Sequence, residues 1–379
     1  MEKFSAYRDL GTGIQPFLTP VPPVGSEFLG KLTLPIRYVL GTIRTASILV
    51  LTAVYLVVVR GACLALLPIP PLYRFVEYLL TFLLGRSVLF ILGFVWISPE
   101  QFNRKRGKGP KLAESWDPKT GDIIVSNWAS WIEVLWLAIR FNPIFVIPVP
   151  ESVPEHPERS RSSTPITPTP GRRTGTGSAS IQTTNRAAVT RIAIRGFQQA
   201  SVLKMIWITG HTPSFGNNLS RSPAFSLEEI RKKSAKPIVV FPECTTSNGR
   251  GLLRFADVFR QNVPVKGYQV FVMCVRYDPP TAVAPSLTYS VPAKTLGPLS
   301  HLFTLAASLS APQITIRLLA PSESPGSQLF ISSEILSDYA GEDALSETCA
   351  SLIAQMGKLK RTGMGWEEKS NFLEFYRSK

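Results

Sequence analysis

Cysteine and histidine are scarce in this 379-residue sequence, at four and three residues. Cys63, Cys244, Cys274 and Cys349 lie far apart without CxxC spacing, which argues against a zinc site and a disulfide framework and leaves reduced thiols. His156, His211 and His301 are too few for a His-rich metal centre and leave little choice of an imidazole base. Acidic side chains are outnumbered, 26 Asp and Glu against 41 Lys and Arg, giving a net charge of +15 and a pI near 9.8. Such a balance favours an anionic partner. The basic residues are dispersed and no nucleic-acid motif accompanies them, so membrane surface and lipid phosphate are preferred over nucleic acid. There is no internal repeat, and residues 1–44 lack the compact apolar run and cleavage site of a signal peptide, reading instead as a cytosolic lead-in.

Apolar residues, by contrast, are plentiful at 45%, ample for a core. Two stretches concentrate them: 45–67, interrupted by Arg60, and 78–97, interrupted by Arg86, with Pro68, Pro70 and Pro71 marking a reversal between. One mid-segment Arg costs roughly 3 kcal/mol on insertion scales, whereas the Leu, Ile, Phe and Val residues of 78–97 return about 4 to 8. The expectation is a membrane hairpin of two hydrophobic helices, spanning or monotopic, with a pair of buried core helices as the competing reading. Basic residues before the first segment and at Arg104, Lys105, Arg106, Lys108 and Lys111 place both flanks in the cytosol. Asn218 in the one glycosylation sequon is then expected to stay unmodified.

Beyond the hairpin, strands and helices alternate. A strand at 121–126 leads through NWAS into a helix over 131–141, ended by Asn142 and Pro143, and a strand follows at 145–149. Residues 150–186, with SSTPITPTPGRRTGTGS, are a Ser, Thr and Pro-rich insert with almost no large apolar residues, expected to be disordered. Asn185 suits the cap of a helix over 186–203, before a strand at 205–208. Ser226 and Glu229 have capping-box spacing for a helix ending near Lys233. Strands are expected at 238–241, 268–276 and 314–319, and a helix at 344–359. This is an α/β layer fold over 112–379, preceded by the lead-in 1–44 and the hairpin 45–97.

The chain is organised around residues 236–255, KPIVVFPECTTSNGRGLLRF. A β-branched run stops at Pro242 and Glu243, a polar turn follows, and Leu252, Leu253 and Phe255 read as a helix. A carboxylate beside a helix start marks a site for a polar, phosphorylated ligand.

At these residues the chain resembles the glycerolipid acyltransferases, the family of lysophosphatidate and other lysophospholipid acyltransferases that includes fungal oleoyl-CoA-using lysophosphatidate enzymes. Phe241 to Gly249 matches the family block FPEGT followed by SNG except that Cys244 replaces Gly, and Val263, Pro264 and Val265 before VFVMCVRY match the next block. The resemblance spans roughly 121–379. It implies a mixed sheet flanked by helices, acyl-CoA as co-substrate with no cofactor or metal, a lysophospholipid acceptor, and a home in the endoplasmic reticulum membrane or lipid droplet with the α/β domain facing the cytosol.

Acyl transfer from a thioester to a hydroxyl requires a base and donors for an oxyanion. The family supplies the base as NHxxxxD. Here Asn127 is retained, the His position is Trp128 and the Asp position is Glu133. Indole has no lone pair for a proton, so Trp128 is excluded as base. Glu133 is either a substitute base or an orienting group, and Ser130 either binds substrate or bonds the helix start. The family's second block ends in Arg, whereas the matching run ends in Gly210 followed by His211, a substitute base or a turn histidine. Glu243 is the strongest candidate, on the acceptor face with Thr245, Thr246 and Asn248 as donors and Arg250 as a phosphate contact. Cys244 is read as a buried thiol rather than a nucleophile. The catalytic candidates are thus Glu133, His211 and Glu243, and the substrate-binding candidates Asn127, Ser130, Thr245, Thr246, Asn248 and Arg250. With His and Arg both replaced, a family member that binds lipid or scaffolds other proteins without transferase activity is the alternative.

Overall fold

The structure, a computed structural model, describes residues 4–23, 33–104, 114–154, 191–213, 223–281, 283–328, 330–336 and 341–378. His156, Asn185, Asn218, the run 105–111 and nearly all of the insert lie outside the described residues.

The elements in chain order are α1 (Leu34–Val54), α2 (Pro70–Ile91), β1 (Pro99–Phe102), β2 (Ile123–Ser126), α3 (Ile132–Phe141), β3 (Ile144–Pro150), β4 (Ile194–Ala200), α4 (Val202–Ile208), α5 (Leu227–Lys233), β5 (Ile238–Val240), β6 (Gly251–Leu252), β7 (Val270–Tyr277), α6 (Leu299–Ala306), β8 (Ile314–Leu319), α7 (Ala344–Gly357), β9 (Lys360–Arg361) and α8 (Trp366–Arg377). Seven strands form one mixed sheet in the order β1-β8-β7-β2-β5-β3-β4, and β6 pairs with β9 beside it. The centre is parallel, while β3/β4 and β7/β8 are antiparallel.

Strands covered on both faces are apolar throughout rather than alternating. In β7, Val270, Val272 and Cys274 face α7, and Phe271, Met273 and Val275 face the opposite core. Ile123 and Val125 against Ile124, and Ile238 and Val240 against Val239, divide likewise. One face carries α7 with Leu345, Cys349 and Ile353, and the other carries α3, α4, α6 and the N-terminal helices.

Several expectations hold to within a few residues: α3, terminated by Asn142 in the left-handed region (φ 42°), and the strands β2, β3, β5, β7 and β8. The capping box is formed, with Ser226 Oγ accepting from Glu229 N and Glu229 accepting from Ser226 N. Others are corrected. Where a helix was expected over 186–203, the described residues 191–203 hold β4 and only the start of α4, and where a strand was expected at 205–208 α4 continues. The exposed edge of β3 takes 194–200 as an antiparallel partner, from Phe145 opposite Ala200 to Val149 opposite Gly196, and Ser201 then caps α4 through Lys204 N. The expected helix at 252–255 is also absent. Gly251 and Leu252 pair with Lys360 and Arg361, so the Glu243 turn leads into a strand rather than into a helix.

The lead-in is shorter than 1–44, because α1 begins at Leu34. Residues 4–23 lie against the domain, with Tyr7 and Phe17 buried on Phe372 and Leu253. Helical structure continues past α1 through a wider turn at Tyr55–Val59 and a tighter one at Ala62–Leu66. Among the described residues, Leu34–Leu66 is the one helical run long and apolar enough to cross a membrane. The next helix, α2, starts at Pro70 rather than 78 and carries Arg74, Glu77 and Arg86. Both helices dock on the sheet domain. Arg44 donates to Ala306 O and Ser308 O, Glu77 pairs with Lys236 at 2.6 Å, and Gly85 lets α2 approach Ile139 of α3 so closely that a Cβ there would lie 2.7 Å from Ile139 Cγ1.

Candidate functional site

At the end of β5 the chain turns through Phe241-Pro242-Glu243-Cys244, and Cys244 N donates to Phe241 O. Cys244 has φ 58°, a left-handed conformation that costs a residue with a Cβ about 1 kcal/mol and explains why glycine suits this position. The turn drives Glu243 inward, 1% exposed. Its Oε2 accepts from Trp128 N at 2.5 Å and its Oε1 from Leu253 N at 2.8 Å. Ser247 N donates to Trp128 O, so the loop grips residue 128 by both backbone groups.

Glu133, in the first turn of α3, is fully buried. Its Oε1 accepts from Ala129 N (2.6 Å) and Ser130 N (2.7 Å), and Tyr277 Oη at the end of β7 donates to Oε2. Asn127 bridges to β7, donating to Val275 O and accepting from Val275 N. Trp128 stacks on Phe241 at 4.9 Å and donates to Ser130 O. Ser130 Oγ, also buried, is 3.5 Å from Ile132 N.

Thr245 Oγ1 donates to His211 O, and Thr246 Oγ1 to Tyr289 O. Asn248 Nδ2 donates to Gln15 O and Leu18 O, which ties the N-terminal segment to the loop. Asn127, Ser130, Glu133, His211, Glu243, Thr245, Thr246 and Asn248 therefore converge, and Arg250 does not, its side chain being exposed. The side-chain oxygens and amides of most of these residues are taken by internal partners, so the cluster is closed.

Sequence reasoning missed Lys369 and Tyr277. Lys369 is fully buried and its Nζ donates to Thr246 O at 2.6 Å. In α8 it stands between Trp366 and Phe372 on the apolar stripe, and a lysine in that register is the signal that identifies it.

Burial sets the protonation of the cluster, since charged forms are disfavoured away from water. It raises Glu243 to about 8, opposed by the two amide hydrogen bonds and reinforced by Glu133. It raises Glu133 to about 7, opposed by Tyr277 and the amides. Burial holds Lys369 well below the ordinary lysine value, with Glu243 pulling it back up. His211 falls to about 4 through burial, helped by Arg377 and Lys369, and is neutral at pH 7. Cys244 is pushed well above the ordinary thiol value, which keeps it protonated and removes the thiolate a nucleophile needs.

Two cavities adjoin the loop 127–131. Trp128, Phe241, Cys244, His211 and Lys204 border one of about 40 Å³, too small for more than water. The other, about 300 Å³ and almost wholly apolar, lies between the N-terminal helices and the domain, lined by Ile48, Leu84, Trp131, Leu135, Trp207 and Leu302 among others. That volume reaches the lower end of ligand pockets. His301 of α6 accepts from Trp131 Nε1 at Nδ1, placing its proton on Nε2 toward Ser286 O. Among the described residues no group of three or more His, Cys, Asp or Glu is placed to hold a metal ion.

Comparison with known proteins adds nothing to this geometry: no protein-family model, curated protein or solved structure matches the chain.

Proposed function

We propose that this protein is a membrane-bound O-acyltransferase that moves a fatty acyl group from acyl-CoA to a lysophospholipid, with lysophosphatidate as the acceptor. The observation that carries this reading is the direct hydrogen bond from Trp128 N to Glu243, which joins the two stretches resembling the family's first and third blocks next to an apolar cavity. That cavity suits an acyl chain. Ile36, Val39, Ile43, Val50, Val57, Phe75 and Phe90 project outward from the N-terminal helices, an apolar surface that a lipid phase would cover. Because α2 is pinned through Glu77 and Gly85, we favour a helix pair lying in one leaflet, which suits the cytosolic face of the endoplasmic reticulum or a lipid droplet.

The chemistry needs a base. Glu133 and Glu243 hold their partners' backbone amides and act as positioning residues. Of the three candidates His211 borders a cavity, and its neutral ring keeps a lone pair at pH 7. Arg377 Nη2 lies 3.5 Å from His211 Nδ1, so proton acceptance at that nitrogen requires the contact to loosen. General-base catalysis contributes about 10²–10⁴-fold, so His211→Ala should lower transfer by at least the smaller factor while lipid association stays intact.

A second reading, a lipid-binding or scaffold protein without transferase activity, is favoured by Trp128 at the base position and by the closed cluster. The deciding experiment gives labelled oleoyl-CoA and a panel of lysophospholipids to purified protein, comparing wild type with Glu133→Gln, His211→Ala and Glu243→Gln. Transfer by wild type that falls in His211→Ala supports the enzyme, and no transfer above an unrelated membrane protein supports the binding reading.

A further inference from the structure

On the side of α6 away from the apolar cavity runs an open groove of about 640 Å³. Its lining includes Arg37 of α1, Lys294, and Arg377 of α8, and among the described residues that line it there is no Asp or Glu. The three cations come from segments more than 80 residues apart and meet because α1 docks on α6 and Lys294 holds the C-terminal end of α8. Arg37 Nε donates to Ala307 O, Lys294 Nζ to Arg377 O, and Arg377 Nη2 reaches His211 Nδ1. Each therefore rests on a neutral acceptor, and among the described residues none of the three pairs with an acid.

Three like charges around one concave surface, held in place but not neutralised, raise a positive potential there and concentrate anions. The groove backs directly onto the candidate site, since Tyr289 of its wall accepts from Thr246 Oγ1. The helix α6 divides polar from apolar: Ser300, His301 and Thr304 face the groove, while Leu299 and Leu302 face the 300 Å³ cavity. An amphiphile with a phosphate head would find both halves of its chemistry on one helix.

We infer that this groove is a phosphate-binding site for the head of such an amphiphile, with Arg37, Lys294 and Arg377 as its anion contacts. The phosphate can belong to a soluble carrier such as acyl-CoA or to a lipid headgroup. The assignment rests on the groove's own charge and placement and does not require acyl transfer.

Two probes separate the sources. Adenosine 3′,5′-bisphosphate is titrated into the full chain in detergent, and in parallel the protein is floated with phosphatidylcholine vesicles with and without phosphatidate. Lys294→Gln and Arg377→Gln should each weaken the binding by about tenfold, the worth of one charge-assisted contact, with unchanged thermal unfolding. Arg377→Lys should retain most of it, which excludes misfolding as the cause. Lys232→Gln removes an equal charge from an exposed site on α5 and should change nothing. Saturable bisphosphate binding with this pattern assigns the groove to a soluble phosphate, and phosphatidate-dependent flotation with this pattern assigns it to a lipid. If neither probe binds saturably, or if Lys232→Gln weakens binding as much as the groove variants, the inference is overturned. Neither readout involves turnover, so a protein inactive in transfer but competent here would refute the enzyme reading and leave the groove standing.

Discussion

Replacing Glu243 and Glu133 by glutamine, one at a time, should give unequal results although both are buried carboxyls on the same cluster. Both oxygens of Glu243 face backbone N–H donors, Trp128 N at 2.5 Å and Leu253 N at 2.8 Å. A carboxyl keeps a lone pair on each oxygen even when protonated, but the amide nitrogen of Gln has none to offer, so Glu243→Gln sets a donor against a buried donor in either orientation. Leaving one such group unsatisfied costs about 1–3 kcal/mol, and at roughly 2–4 °C per kcal/mol the melting temperature should fall by roughly 2–12 °C. Glu133 differs. Ala129 N and Ser130 N share one oxygen and the other faces the Tyr277 hydroxyl, whose hydrogen can rotate. Gln reproduces this pattern, with its oxygen on the amides and its NH₂ donating to Tyr277, so Glu133→Gln should cost under about 1 kcal/mol. Thermal unfolding of the detergent-solubilised full chain by circular dichroism at about pH 4, below the raised values of both carboxyls, measures both without the added cost of charging them. Equal melting temperatures for the two variants, or a larger drop in Glu133→Gln, would refute the hydrogen-bond reasoning.

Three further outcomes are expected. Burial raises Glu133 from 4.5 to about 7, and a group raised in the folded state contributes stability below its unfolded pKa that is lost as pH climbs through the folded one. Wild type should therefore lose ground to Glu133→Gln between about pH 4.5 and 7, by on the order of 1 kcal/mol per pH unit, and urea titrations showing no such trend would contradict it. His301 is lowered from 6.5 to about 4 by burial, so its contribution is present above pH 6.5 and lost toward pH 4. His301→Gln, which can keep bonds to Trp131 and Ser286, should flatten that acid limb in the same titration. Gly85→Val should cost about 1–3 kcal/mol by forcing α2 off Ile139, with limited proteolysis cutting near 68–71 faster than in wild type; unchanged cleavage would show that the helices are not held by this contact.

The elements legible from residues alone were those whose local pattern and tertiary role agree. Strands β5 and β7 are apolar on both faces, which only a covered central strand requires, and α5 carries its own capping box. The α/β class follows the same consistency between local pattern and fold, whereas the bond from Trp128 N to Glu243 is a tertiary contact. Tertiary structure overrode the local signal at 194–208, because the edge of β3 offered backbone partners that a weak helical pattern could not match. It also decided what composition could not reveal. Glu243 is sealed by two amides rather than open to a ligand, and Lys369 is drawn into the loop from a helix more than 120 residues away. Arg37, Lys294 and Arg377 look like dispersed surface charge in the sequence, and only the docking of α1 on α6 and the bond from Lys294 to the end of α8 gather them into one groove. Periodicity and capping act over a few residues and can be read along the chain. Burial of charge depends on which distant segments close over it, and that is settled only when the chain has folded.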